Sequence, residues 1–137
     1  MKLCSACLLG LKCRYDGNAK PNEKVLQLAK EEVLIPVCPE QLGGLSTPRK
    51  PAEQQGDKVV TKDGDDVTEN FKRGAQQVLK IAKLYGIKSA ILKQRSPSCG
   101  FGQTYDGTFS GTIIGGDGVT TKLLNENGIE VLTEDDL

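Results

Sequence analysis

Apolar residues recur along this chain in two alternating rhythms. Val67, Phe71, Ala75, Val78, Ala82 and Tyr85 fall at three- and four-residue intervals and make one stripe of a helix over 66–85. Asp66 stands at the cap position with Glu69 three residues on, in the pattern of a capping box. Gly86 follows where a left-handed residue ends a helix. Positions 87–93 then read as a short buried strand. The same order returns near the end. Asp117 and Gly118 open a helix through Val119, Leu123 and Leu124, Gly128 stops it, and 129–132 form a strand. An earlier unit has a helix over 23–30 and a strand over 33–37, and a further strand covers 2–6. Helices alternating with short apolar strands predict a single α/β domain over 1–137, with a mainly parallel sheet and flanking helices in a Rossmann-like arrangement.

Two stretches depart from this rhythm. Positions 43–57 carry three glycines and two prolines among polar residues, and read as a long loop over the sheet edge. Positions 100–118 are glycine-rich, with a turn expected at Tyr105-Asp106-Gly107-Thr108.

Charge and composition narrow the function. The chain has 18 basic and 18 acidic residues, so it lacks the basic excess that releases counterions from a polyanion, and a nucleic-acid partner is not expected. No apolar run approaches the roughly 18 residues needed to cross a bilayer, and none precedes Leu3-Cys4-Ser5-Ala6-Cys7. A cytoplasmic protein is the expectation. The sequence carries no signal for an oligomeric state.

The chain has five cysteines and no histidine. In a reducing compartment such cysteines are metal ligands, catalytic thiols or small buried hydrophobes rather than a disulfide framework. Without histidine, proton transfer falls to carboxylates, hydroxyls, lysine, tyrosine or a bound cluster. Cys7, Cys38 and Cys99 each come at or soon after the end of a predicted strand, where open α/β sheets bind their ligands. They therefore converge on one edge of the sheet. Cys4 lies three residues before Cys7, faces the other side of an extended strand, and is expected to be buried. Cys13 is either a fourth ligand or a nearby thiol. A zinc knuckle needs paired ligands, and only one Cys-x-x-Cys pair is present. Three thiolates suit an iron–sulfur cluster with one open iron, and three core cysteines are the plainer alternative.

Several ordered motifs sharpen this. Ser5-Ala6-Cys7-Leu8-Leu9-Gly10, Cys13-Arg14-Tyr15-Asp16-Gly17, Cys38-Pro39-Glu40, Pro48-Arg49 and Ser96-Pro97-Ser98-Cys99-Gly100, with Gly116-Asp117-Gly118-Val119-Thr120, span nearly the whole chain. Together they resemble the bacterial family that contains the iron–sulfur 2-thiouracil desulfidases. The resemblance implies a four-iron four-sulfur cluster held by Cys7, Cys38 and Cys99. Its open iron would take the sulfur of a small thiolated substrate such as 2-thiouracil.

Glu40, two residues after a ligand and held by Pro39, is the first candidate for the acid/base of such a reaction. Ser98, beside Cys99, is a candidate donor to substrate or water, and Asp16 is a third candidate. Each has a plain structural reading: a helix cap for Glu40 and turn positions for Ser98 and Asp16. Arg14, Arg49, Lys93 and Arg95 are candidates for a basic rim, with solvated surface charges as the plainer reading, and Gly43-Gly44 is a candidate for a close backbone approach to a ligand. The competing functions are a non-catalytic cluster sensor or carrier, a cluster-free thiol or persulfide protein, and a zinc-stabilised module.

Overall fold

The computed structural model describes residues 1–137. Strand β1 (Lys2–Ser5) leads into a 3-10 turn (Ala6–Leu9), then helix α1 (Glu23–Leu28), strand β2 (Leu34–Val37) and helix α2 (Pro39–Leu42). Strands β3 (Ala52–Gln55) and β4 (Lys58–Thr61) follow, then helix α3 (Thr68–Tyr85) and strand β5 (Ser89–Leu92). Strands β6 (Thr104–Tyr105) and β7 (Ile113–Ile114), helix α4 (Val119–Glu126), strand β8 (Glu130–Thr133) and a last 3-10 turn (Glu134–Asp136) complete the chain.

The four apolar strands pair in parallel in the order β2-β1-β5-β8. Leu3 stands between Ile35 and Ala90, and Cys4 between Pro36 and Ile91. Successive side chains alternate faces. Leu3, Val37, Ala90, Leu92 and Val131 pack with Val78 and Ala82 of α3 and Leu124 of α4. Cys4 and Ile91 pack with Leu8 and with Val25 of α1. Both faces are thus covered, as a parallel sheet requires, and the α/β expectation holds. Full burial of a side chain such as Leu124 or Val78 stabilises the fold by about 1.5–3 kcal/mol.

The predicted stripe forms α3, with Phe71, Ala75, Val78 and Ala82 on its buried side, and Gly86 ends it at φ 66°. Its start differs from the expectation. The Asp66 carboxylate accepts the Thr68 N–H at 2.9 Å from one step outside the helix, and Glu69 lies 86% exposed beside Lys72. No capping box forms there. The strand over 87–93 is shorter than predicted at both ends. The Ile87 N–H closes the helix on the Ala82 carbonyl, and the Lys93 N–H turns to the Ser5 hydroxyl.

The stretch 43–57 is only partly a loop. Ala52–Gln55 pairs antiparallel with Lys58–Thr61 across a tight turn at Gly56, φ 63°. Polar Glu53, Gln54 and Gln55 hide this strand from an apolar-pattern reading. They reach outward instead: Gln54 donates to the Pro97 and Asp117 carbonyls at 3.0 Å each, and Gln55 to the Gly107 carbonyl at 2.8 Å. The stretch 100–118 carries the small ribbon β6–β7. At its turn the Asp106 carboxylate accepts the Thr108 N–H at 2.9 Å, as the turn motif predicts.

Candidate functional site

Strands β2, β1 and β5 are sheet neighbours, so their carboxyl ends are adjacent where the chain connection reverses direction across the sheet. Cys38 directly follows β2 and caps α2, whose first residue is Pro39. Cys7 lies in the 3-10 turn after β1 rather than at the strand end itself. Cys99 sits in the loop after β5. All three line one cleft of about 560 Å³, and Cys13 lines it with them.

The segment 10–20 returns Cys13 over the 3-10 turn, because the Lys20 N–H donates back to the Cys7 carbonyl at 3.0 Å. Cys13 is 6% exposed, and its thiol sits against those of Cys7 and Cys38. The Cys38 thiol also donates to the Cys13 carbonyl at 3.7 Å. The bond with Cys38 pulls the pKa of the Cys13 thiol down, but Cys7 and burial push it up by more, and the net direction is upward. The Cys38 thiol is raised by its bond to Cys13 and then by burial. Burial pushes the Cys99 thiol up to about 12, against the pull of the Ser5 and Ser98 hydroxyls.

Cys4 is fully buried, as expected, and its thiol is pushed up to about 12 chiefly by burial. The opposite-face argument for it fails, however. The strand stops at Ser5, the 3-10 turn redirects the chain, and Cys4 and Cys7 belong to one apolar cluster. Cys4 still stays out of the cleft.

The Cys99 loop is held by two devices. Gln94, 8% exposed, accepts the Arg95 and Phe101 N–H groups at 3.0 and 2.8 Å and donates to the Phe101 carbonyl at 2.9 Å. Helix α4 supplies the second. Its Val119 and Thr120 N–H groups donate to the Pro97 and Ser98 carbonyls at 3.0 and 2.8 Å, so the loop itself caps the helix. The Thr121 hydroxyl donates to the Cys99 carbonyl at 2.7 Å. Gly118 permits this approach, since a Cβ there would lie 2.4 Å from Ser98 backbone atoms.

Glu40 lines the cleft from the first turn of α2, its side chain 18% exposed, with Arg49 Nε 3.1 Å from Oε1. Ser98 is placed differently from the expectation of a substrate donor. It is 1% exposed, its hydroxyl is 2.8 Å from that of Thr120, and it does not line the cleft. Asp16 is exposed outside the cleft and holds a turn, accepting the Asn18 N–H at 3.0 Å. That bond, with Arg14 nearby, keeps its carboxyl below the ordinary range. Gly43 approaches helix α3 rather than a ligand: a Cβ there would lie 2.0 Å from the Asn70 carbonyl oxygen.

The expected basic rim is present but largely paired. Lys93 meets Glu134 at 2.9 Å, Arg95 meets Asp135 at 3.4 Å, and Arg14 meets Asp16 at 3.9 Å. Lys20, Glu53 and Tyr105 also line the cleft, and sequence reasoning missed all three because they belong to no cysteine motif.

The five cysteines are free, and four of them face a cavity far larger than one ion. Soft thiolates select zinc, cuprous copper or iron–sulfur clusters. No three cysteine or carboxylate side chains close on a single point as a lone ion requires. A multi-atom group fits this donor set. Cleft, thiols and fixed carboxylate at the carboxyl edge of a parallel sheet define an α/β domain with a small-molecule cleft lined by sulfur donors. The family follows from the whole chain: it belongs to the 2-thiouracil desulfurase family, whose model matches residues 3–136. It is 46% identical over 147 aligned positions to the uncharacterised protein YbbK of Bacillus subtilis (strain 168), covering 100% of this chain and 97% of that protein. It is also similar to the solved structure of the 4Fe-4S-dependent thiouracil desulfidase TudS, with TM-score 0.94 and 48% identity, over 99% of this chain and 91% of that one.

Proposed function

We propose that this chain, as one domain over 1–137, is an iron–sulfur desulfidase that replaces the sulfur of a small thiocarbonyl base such as 2-thiouracil with oxygen from water. One observation carries the reading: Cys7, Cys38 and Cys99 meet in a single cleft beside Glu40. These three thiolates would hold a four-iron four-sulfur cluster, which supplies a thiophilic Lewis acid at the iron they leave open.

Glu40 is placed to take a proton from the attacking water and return one to the ring as the carbon–sulfur bond breaks. Arg49 fixes its orientation through the 3.1 Å bond. Ser98 acts from behind Cys99, keeping the loop on α4, and Asp16 acts through the turn that carries Arg14 and Tyr15. No redox partner is needed, since hydrolysis of a C=S group moves no net electrons. A cleft of about 560 Å³ lies within the small-molecule range of roughly 300–1,000 Å³, which favours a small base over a polymer. Free thiols throughout favour the reducing cytoplasm, and no helix is long and apolar enough to cross a membrane.

The test is anaerobic reconstitution with iron and sulfide, followed by sulfide release from 2-thiouracil. Wild type is expected to take up about four irons per chain and to release sulfide. Cys7→Ala, Cys38→Ala and Cys99→Ala are expected to lose both properties. A wild-type chain that binds zinc but no iron would remove the reading. A chain that loads the cluster but leaves every thiolated base intact would favour the sensor or carrier.

A further inference from the structure

The Glu40–Arg49 pair borders two cavities. One is the cleft that holds the cysteines. The other, of about 450 Å³, lies between the segment after α2 and the junction of β4 with α3. Glu40, Arg49 and Ala52 line both, whereas Leu45, Thr61 and Val67 line only the second. No cysteine lines this second cavity, and exposed Ser46, Pro48 and Lys50 in its wall open it to solvent. The carboxylate at the junction has one oxygen to spare. Arg49 Nε meets Glu40 Oε1 at 3.1 Å, and no protein donor reaches Oε2. Every fully buried polar side-chain atom of the chain has a hydrogen-bond partner, so Oε2, which has none, is open to water.

We propose that the second cavity is the water inlet of this site: the water that replaces sulfur reaches Glu40 through it while the substrate fills the cleft. The inference rests on the hydrolytic reading above and adds the source of the water. Cluster and substrate share a cleft of about 560 Å³, and a small-molecule site covers roughly 70–90% of its ligand's surface, which closes the mouth to solvent during turnover. The second cavity stays free. Its volume of about 450 Å³ far exceeds the roughly 30 Å³ that one water takes in the liquid. Ser46, Thr61 and Arg49 supply the polar partners that keep it wet. One water is consumed per turnover. Its oxygen bonds to the thiocarbonyl carbon as the carbon–sulfur bond breaks, and its two hydrogens leave with the sulfur, as hydrogen sulfide or as hydrosulfide and a proton. No electrons are gained or lost.

The experiment narrows the inlet without touching the cleft. Val67→Phe and Leu45→Phe fill the second cavity from two different segments, and Val67→Ala widens it. Each protein is reconstituted anaerobically, and its iron content, its affinity for 2-thiouracil and its sulfide release at saturating substrate are measured. Both phenylalanine variants are expected to match wild type in iron and affinity while turning over several-fold more slowly. Their turnover should also fall more steeply than that of wild type as betaine lowers the water activity. Val67→Ala is expected to turn over like wild type. Crystals of the loaded wild type should show ordered water on Glu40 Oε2 from the side of Leu45 and Val67, displaced in the phenylalanine variants. If Val67→Phe does not fold, Val67→Leu takes its place beside Leu45→Phe. Full turnover in folded, loaded phenylalanine variants overturns the inference, and so does a dry cavity in the wild type. Weakened affinity at unchanged turnover overturns it too, since the cavity would then serve the substrate. A wild type that loads the cluster yet releases no sulfide from any thiolated base removes the hydrolytic reading itself, and this inference falls with it.

Discussion

The Arg49 guanidinium joins Glu40 to Cys13: Nε lies 3.1 Å from Glu40 Oε1, and Nη2 donates to the Cys13 carbonyl at 2.9 Å. One side chain, 7% exposed, thus sets the distance between the proposed acid/base and the thiol segment. The planar fork is essential, because a lysine ammonium offers a point charge that cannot span both acceptors. Arg49→Lys is expected to retain the fold and lose most of the turnover on 2-thiouracil. Arg49→Ala should cost about 2 kcal/mol of stability in addition, since a charged hydrogen-bond network loses its donor. Denaturant midpoints beside turnover numbers separate the two effects. An Arg49→Lys protein with full turnover would refute the role given to the fork.

Helices α2 and α3 meet at two glycines, and this contact fixes Cys38 and Glu40. A Cβ on Gly74 would lie 1.9 Å from the Pro39 carbonyl oxygen, and one on Gly43 would lie 2.0 Å from that of Asn70. Neither glycine has a positive φ, so the obstacle is steric alone. Gly74→Ala is expected to force α2 outward at a cost of about 1–3 kcal/mol and to weaken iron retention. Gly115→Ala is the control, since its Cβ meets nothing within 4 Å and should leave thermal stability and iron content unchanged. Parallel melting curves with iron counts decide the matter.

Gln94 makes a third prediction. Its amide satisfies both backbone groups of Phe101 and the N–H of Arg95, which itself adopts φ 64°. Replacing it with leucine removes the partner of these part-buried groups, each lost bond costing about 1 kcal/mol. Gln94→Glu keeps the acceptor but sets a carboxylate oxygen against the Phe101 carbonyl. Both variants should shed iron faster than wild type in the presence of a chelator, with Cys99 itself unaltered. Chelator-driven decay of the cluster absorbance measures this, and unchanged decay would show that the loop holds its shape without the amide.

What the sequence made legible follows from which forces are local. The α3 stripe and the strand-end positions of Cys38 and Cys99 are matters of periodicity and topology, so they were readable directly. The strand Ala52–Gln55 was not, because its side chains bond to distant loops instead of filling an apolar face. Cys13 could not be placed either. Its position depends on the segment 10–20 folding back onto the Cys7 carbonyl, a contact between backbone groups that no residue pattern announces. Ser98 illustrates the opposite error. Its neighbour Cys99 faces the cleft, but the tight docking on α4 turns Ser98 inward to Thr120.

Acid should weaken the start of α3 through Asp66. Its carboxyl is held below the ordinary 3.8 first by the Thr68 side chain and then by the Thr68 N–H. The folded protein therefore favours the ionised form, which also suits the positive end of the helix. The resulting stabilisation is present above the unfolded-state value and is lost as pH falls through the lower folded-state value. Asp66→Asn preserves an acceptor for the Thr68 N–H but removes the charge. The variant is expected to be less stable than wild type at neutral pH by a constant margin that salt diminishes. Below 3.8 that margin should shrink towards zero, because the wild-type carboxyl becomes neutral as well. Urea midpoints for both proteins across this range test the sign. A margin that widened on acidification would mean that Asp66 is ionised more readily in the unfolded chain than in the folded one.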